Sequence, residues 1–197
     1  MIKKSEIIGL IIAFFIGVLS LAYDSRILLF IKSLENPWLS YLLAIFNPIS
    51  MIFLFGLLIV LILIKERRRK LILPLVLTLI ASIVISFILK VTFMRQRPFG
   101  LVKEIFLLHL PDYSFPSSHA VTIFSVLPIL NKEFSKLNWF WFVFSCLIAF
   151  SRFYFQVHYL SDVILGAVIG YIIGLSFVWL EEKYCFGEKL IKSLVKK

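Results

Sequence analysis

The sequence predicts an all-α polytopic membrane protein: six transmembrane helices in one bundle, with short interfacial helices between the first two spans. Three observations carry that expectation. Hydrophobic residues make up 61% of the 197 positions and the mean hydropathy is +1.00, whereas ordinary soluble domains lie nearer half apolar. The excess gathers in long runs of Leu, Ile, Val and Phe, and a helix needs roughly 20 mostly apolar residues to cross about 30 Å of hydrocarbon. The charges are sorted around those runs. Lys65, Arg67, Arg68, Arg69 and Lys70 form one basic cluster, and Lys183, Lys189, Lys192, Lys196 and Lys197 form another, as loops on the cytoplasmic side do.

Taken in order, the first apolar run is Ile7 to Tyr23, after Lys3 and Lys4. A cleaved signal peptide competes for it, with Ser20-Leu21-Ala22 offering small residues, but the run is long for a signal core. Residues 26 to 46 are apolar but interrupted by Lys32, Glu35, Asn36 and Pro37. Two short interfacial helices with a proline break fit better than a span, and Trp38 and Tyr41 suit the membrane–water boundary. The second span is Ile49 to Ile64 and ends at the first basic cluster. The third runs from Leu71 to about Phe93, with Lys90 near its end. A polar loop, Arg95 to Phe115, precedes the fourth span, Pro116 to Leu130. Asn131 to Asn138 is a hydrophilic turn. The fifth span is Trp139 to Phe155 and the sixth is Ser161 to Leu180. The aromatic group Trp139, Phe140, Trp141 and Phe142 reads as an interfacial belt.

Six spans put both termini on one side. That side receives Lys3, Lys4, the cluster at 65–70, Lys132, Lys136 and the lysines of the tail. The other receives Arg26, Lys32, Arg95, Arg97 and Lys103. The richer side is expected to be cytoplasmic. The formal charge of +10 then reports topology and contact with anionic head groups, so no nucleic-acid partner is expected. Cys146 lies in an apolar run and Cys185 in the basic tail, so no disulfide is expected. The chain reads as one membrane-embedded domain over residues 1–197, with its motifs between about 50 and 180.

Ionisable residues this close to hydrocarbon are costly and usually face a cavity or one another. On the outer side, Lys90, Arg95 and Arg97 stand at the end of span three and His119 at the start of span four. Arg152 and His158 end span five, and Asp162 opens span six. Fixed cations and two histidines at one face suggest an anion site, with phosphate the obvious candidate. Pro116-Ser117-Ser118-His119 opens a helix, whose free N–H groups cradle anions. His158 and Asp162 are four residues apart, so on a helix they share a face. Asp162 could then hold one ring nitrogen and leave the other as a nucleophile, with His119 protonating the leaving oxygen.

With those residues in view, a family resemblance emerges. Lys90-Val91-Thr92-Phe93-Met94-Arg95-Gln96-Arg97-Pro98 resembles the KxxxxxxRP motif of the type 2 phosphatidic acid phosphatase superfamily. Pro116-Ser117-Ser118-His119 resembles its PSGH motif, with Ser118 where Gly is usual. Ser151-Arg152 followed by His158 and Asp162 resembles its SRxxxxxHxxxD motif. The resemblance implies a membrane phosphatase acting on a lipid phosphate or diphosphate. In it Lys90, Arg97 and Arg152 bind phosphate oxygens, with Ser117 and the amides of Ser118 and His119 completing the cradle. His158 is the nucleophile, Asp162 its orienting partner and His119 the acid–base. No metal and no cofactor are expected, and the site faces the non-cytoplasmic side of the cell membrane. Undecaprenyl diphosphate, phosphatidylglycerol phosphate, phosphatidic acid and a lipid A phosphate are all eligible substrates, with a lean towards an isoprenyl diphosphate. The small size and bare termini suit a minimal prokaryotic enzyme. A lipid phosphotransferase would use the same phosphohistidine. A non-catalytic lipid-binding or transport protein would not need Asp162 behind His158. Arg95 and His109 have no motif position; Arg95 reads as facing lipid head groups and His109 as a loop residue.

Overall fold

The structure, a computed structural model, describes residues 4–46, 49–66, 68–98, 104–105, 110–111 and 113–195. Nine α-helices are present among them: α1 (Lys4–Leu21), α2 (Asp24–Ser33), α3 (Pro37–Ala44), α4 (Ile49–Lys65), α5 (Ile72–Phe93), α6 (Ser118–Glu133), α7 (Asn138–Tyr154), α8 (Leu160–Tyr184) and α9 (Phe186–Val195). One short ladder is also present: β1 (Glu104–Ile105) pairs antiparallel with β2 (Leu110–Pro111). Elsewhere the regular structure is helical.

Local chemistry sets several boundaries. Pro37 occupies the first turn of α3, and Asn36 caps it by accepting from the Trp38 N–H at 2.9 Å, which is the break expected between two interfacial helices. Met94 adopts a left-handed conformation, φ 47°, immediately after α5. Cys185 does the same, φ 50°, between α8 and α9. The short α9 has Phe186, Gly187 and Leu190 on one arc and Glu188, Lys189, Lys192 and Ser193 on the other. The basic tail expected from the charge pattern is thus a helix.

α6 forms the centre of the bundle: every residue from Ala120 to Leu130 is buried. Two small-residue stripes let its neighbours approach. On α8, a Cβ added at Gly170 would lie 2.1 Å from the Val121 carbonyl oxygen, and one at Gly174 would lie 2.1 Å from that of Ser125. Such spacing permits close backbone contact between apolar helices. On α5, Thr78, Ser82, Ser86 and Lys90 recur every four residues and all are buried. Ser86 Oγ meets Ser118 Oγ at 2.8 Å and Ser82 Oγ meets Thr122 Oγ1 at 3.4 Å, so this polar stripe faces α6 and ends at Lys90. By contrast α1 leaves Ile12, Phe15 and Leu19 exposed, as a helix facing lipid does.

Among the described residues, four segments are long and apolar enough to cross a membrane: Lys4–Leu21, Arg69–Phe93, Ser135–Tyr154 and Leu160–Tyr184. α4, with 17 residues, and α6, with 16, are shorter, about 24–26 Å at 1.5 Å per residue. The two ends of the bundle are chemically distinct. At one, Arg68 pairs with Glu133, Lys132 with Glu182 at 3.0 Å, and Gly187 packs on the Lys70 carbonyl. At the other, Tyr154 Oη lies 3.1 Å from the Asn36 N–H and 3.0 Å from Ser40 Oγ. One expectation changes. Trp139 and Phe140 are exposed as a belt would be, but Trp141 is buried against Phe55, with ring centroids 5.6 Å apart. The helical period turns Trp141 inward while its neighbours face out.

Candidate active site

Three segments distant in sequence converge at the end of the bundle opposite Arg68 and Glu133. The first is the end of α5 and the chain after it. Lys90 is buried and its ammonium donates to the Tyr113 carbonyl. The left-handed Met94 turns the chain so that the Arg95 carbonyl accepts from the Ser114 N–H at 2.7 Å, tying the segment after α5 to the segment before α6. Arg97, also buried, donates to the Val157 carbonyl at 2.7 Å.

The second segment is the start of α6. Ser117 is extended, φ −68° and ψ 108°, and the helix begins at the next residue, so the N–H groups of the first turn have no partner within the helix. The Ser117 N–H donates to the Asp162 carbonyl at 3.1 Å, which pins this helix start to α8. Gly166 makes room: a Cβ there would lie 3.2 Å from the Ser117 carbonyl oxygen. Ser117 Oγ and His119 Nε2 are buried and have no hydrogen-bond partner within the protein. Buried polar atoms are rarely left in that state. Ser118, the residue in place of glycine, turns its hydroxyl to Ser86 on α5.

The third segment joins α7 to α8. His158 is 2% exposed. Its Nδ1 lies 2.8 Å from the Ser114 carbonyl oxygen, and its Nε2 lies 3.4 Å from Arg97 Nη1. A carbonyl only accepts and a guanidinium only donates. The network therefore assigns the proton to Nδ1 and a lone pair to Nε2. Burial, with the positive charges of Arg97 and Lys90 adding to it and Asp162 opposing, lowers the His158 pKa from 6.5 to about 4. Arg152, Arg97, Lys90 and His158 all lie within electrostatic reach of His119, so one cluster holds the predicted cations and both histidines.

The partner of His158 differs from the sequence expectation. Asp162 Oδ2 is 3.9 Å from Nδ1, too far for a hydrogen bond. The carboxylate instead accepts from Ser114 Oγ, from the Tyr159 N–H at 2.9 Å and from Arg95 at 2.6 Å. It is thus linked to His158 through Ser114, whose carbonyl accepts from the ring Nδ1–H. Four-residue spacing predicts a direct contact only within a helix, and α8 starts at Leu160, after His158. Arg95 is also corrected. It does not face head groups but bridges Asp162 and Asp24, the latter at 2.7 Å. Burial works against its charge, but the two carboxylates outweigh that and raise its pKa. Asp24 and Ser114 escaped the sequence reading because neither belongs to a spaced motif; an aspartate at the end of the first apolar run was the available signal. His109 and Lys103 lie outside the described residues.

Unpaired N–H groups at a helix start, clustered cations and a histidine whose Nε2 carries its lone pair beside Arg97, all on a helical membrane bundle, are the features that bear on the class of protein. The chain belongs to the PAP2 superfamily, which matches residues 71–184. An undecaprenyl-diphosphatase from Sulfolobus acidocaldarius is 33% identical over 126 residues, 61% of this chain and 60% of that protein. The chain spans about three fifths of the length of the curated relatives it matches. The crystal structure of a PAP2 type phosphatidylglycerolphosphate phosphatase from Bacillus subtilis covers 90% of this chain and 96% of its own, with a TM-score of 0.71 at 21% identity, a likeness of fold. LpxE from Aquifex aeolicus covers 79% of this chain and 94% of its own, with a TM-score of 0.64 at 27% identity.

Proposed function

We propose that this protein is an integral membrane phosphatase that hydrolyses a lipid phosphate or diphosphate through a phosphohistidine on His158. The observation that carries the reading is the state of that ring. Its proton is held on Nδ1 by the Ser114 carbonyl, and its Nε2 lone pair faces the cation cluster beside Arg97. Lys90, Arg97 and Arg152 bind the phosphate oxygens, with Ser117 Oγ and the amides of Ser118 and His119. These charges offset the negative charge that would repel a nucleophile. Nε2 attacks phosphorus, the bond from phosphorus to the leaving oxygen breaks, and His119 gives that oxygen a proton. His119 then takes a proton from water, which attacks the phosphohistidine, releasing inorganic phosphate and restoring both rings.

The chain crosses the membrane six times, through α1, α4, α5, α6, α7 and α8. The end bearing Arg68, Lys70, Lys132 and Lys189 is cytoplasmic by its excess of positive charge, and the site faces the other side. Among substrates, an isoprenyl diphosphate such as undecaprenyl diphosphate is favoured, since the archaeal relative carries that name. Purified protein should release phosphate, in excess EDTA and without an acceptor lipid, from one or more of undecaprenyl diphosphate, phosphatidylglycerol phosphate, phosphatidic acid and a lipid A phosphate. His158→Ala should abolish both turnover and an acid-quenched phosphoenzyme. His119→Ala should lose most with a lipid alkoxide leaving group and less with p-nitrophenol. A phosphoenzyme that persists in His158→Ala but not in His119→Ala would reverse the two roles, and a strict need for an added acceptor lipid would replace hydrolysis by phosphotransfer.

A further inference from the structure

One heavily bonded charged group at this end of the bundle is not among those that would touch phosphate. Asp24 opens α2 and is 3% exposed, and its position precedes the 71–184 stretch that matches the family. It accepts from the Ser161 N–H at 3.1 Å, from Ser161 Oγ and from Arg95 Nη2 at 2.7 Å. Arg95 Nη1 donates onward to Ser161 Oγ at 2.7 Å and to Asp162 Oδ1 at 2.6 Å. The Tyr159 ring covers the guanidinium, its centroid 4.2 Å from Cζ. Asp162 Oδ2 then accepts from Ser114 Oγ and the Tyr159 N–H, and the Ser114 carbonyl accepts from the His158 Nδ1–H.

We infer that Asp24 and Arg95 are positioning residues for the nucleophile: the N-terminal segment clamps Arg95, and Arg95 fixes Asp162 and, through Ser114, the tautomer and aim of His158. The inference rests on the proposed phosphohistidine mechanism. A guanidinium is required because its planar fork reaches two carboxylates at once, whereas an ammonium is a single point of charge. Two carboxylates this close would repel one another without the cation between them. Removing either end of the clamp leaves buried charge uncompensated and lets the imidazole drift from the attack geometry. A misplacement of about 1 Å costs on the order of a hundredfold in rate. Phosphate binding is unaffected in first order, since Lys90 donates to the Tyr113 carbonyl and Arg97 to the Val157 carbonyl, outside the clamp.

The test uses full-length protein in detergent, with undecaprenyl diphosphate as substrate and thermal melting to establish folding. Arg95→Lys and Asp24→Asn should each lower kcat, Arg95→Lys by on the order of tenfold to a hundredfold, with KM changed by less than about threefold. Asp24→Asn combined with Arg95→Lys should lose no more than the worse single variant, because both break one chain of contacts. Arg95→Ala should regain kcat on addition of guanidinium at concentrations below those that unfold it, since the Arg95 side chain is 25% exposed and its place is accessible. Ser161→Ala, which removes only the hydroxyl shared by the two arms, gives a milder loss of the same kind should the charge variants fail to fold. Raised KM with unchanged kcat, additive losses in the double variant, or no response to guanidinium in folded Arg95→Ala would each overturn the clamp. Wild-type protein that forms no phosphohistidine would overturn the proposed function; a wild type that forms it, beside variants that form it equally fast, would overturn the clamp alone.

Discussion

The depressed basicity of His158 sets where activity should fail in acid. Its pKa is lowered from 6.5 to about 4, by burial first and by Arg97 and Lys90 after it. At about pH 5.5 a ring with a pKa of 6.5 would be about one tenth neutral, whereas one with a pKa near 4 is about 97% neutral. Formation of the phosphoenzyme should therefore keep nearly its full rate at pH 5.5, instead of falling about tenfold. The assay is rapid acid quench with p-nitrophenyl phosphate, a leaving group that makes little demand on His119, with substrate ionisation followed separately by phosphorus NMR. The same shift has a consequence for stability. Between pH 6.5 and about 4 the unfolded chain binds a proton at His158 that the folded chain does not. Folding stability therefore rises with pH across that window: the contribution is complete above 6.5 and is lost as pH falls towards 4. Its full size is on the order of 3 kcal/mol for a ring this deeply buried. A phosphoenzyme rate that halves near pH 6.5 after correction for the substrate would refute the reasoning.

Two further outcomes follow from packing and from topology. Gly174→Ala places a Cβ 2.1 Å from the Ser125 carbonyl oxygen and 2.8 Å from Pro128 Cδ, so α8 must shift from α6 at a cost of about 1–3 kcal/mol, seen as a lower melting temperature in detergent; Gly9→Ala, with nothing within 4 Å, should leave melting unchanged, and equal effects would refute the packing account. The exposed Cys185 should resist an impermeant thiol reagent in intact cells and react after permeabilisation, while Leu34→Cys in a Cys185→Ser background should react without it; the opposite order would invert the assigned orientation.

Much of the architecture is legible in the sequence because spanning segments announce themselves by composition alone. Each segment expected to span coincides with one helix to within a few residues, four of them being long and apolar enough to cross a membrane, and Pro37 marks the break between α2 and α3. The lengths of α4 and α6 are less well conveyed. A run of apolar residues shows that a segment avoids water, but not whether lipid or protein surrounds it. α6 is enclosed by protein and carries Ser, Thr and Pro that a lipid-facing helix would less readily hold. The candidate site was legible where chemistry is spaced along one helix end, as with Lys90 and Arg97, or His158 and Asp162. It was not legible where partners come from separate segments. The Ser114 carbonyl carries no residue signature, since any amino acid supplies one. Asp24 and Arg95 find each other only after α1 and α2 fold back on α8. Trp141 shows the same limit on a smaller scale, because four adjacent aromatics share a composition but not a direction.

The enclosure of α6 has a consequence for how such a protein tolerates its surroundings. A helix in contact with lipid must match the thickness of the bilayer, by tilting, by distorting the bilayer or by snorkelling, at fractions of a kcal/mol per Å of mismatch. α6 is buried along Ala120 to Leu130 and meets α5 and α8 through hydroxyls and glycines, so it has little lipid to match. Thickening or thinning of the bilayer acts on the outer helices, α1 above all. The depth of Ser117 and His119 is then a fixed dimension of the protein. Growth temperature and lipid composition can change the membrane around it while the distance from cradle to bundle axis stays the same.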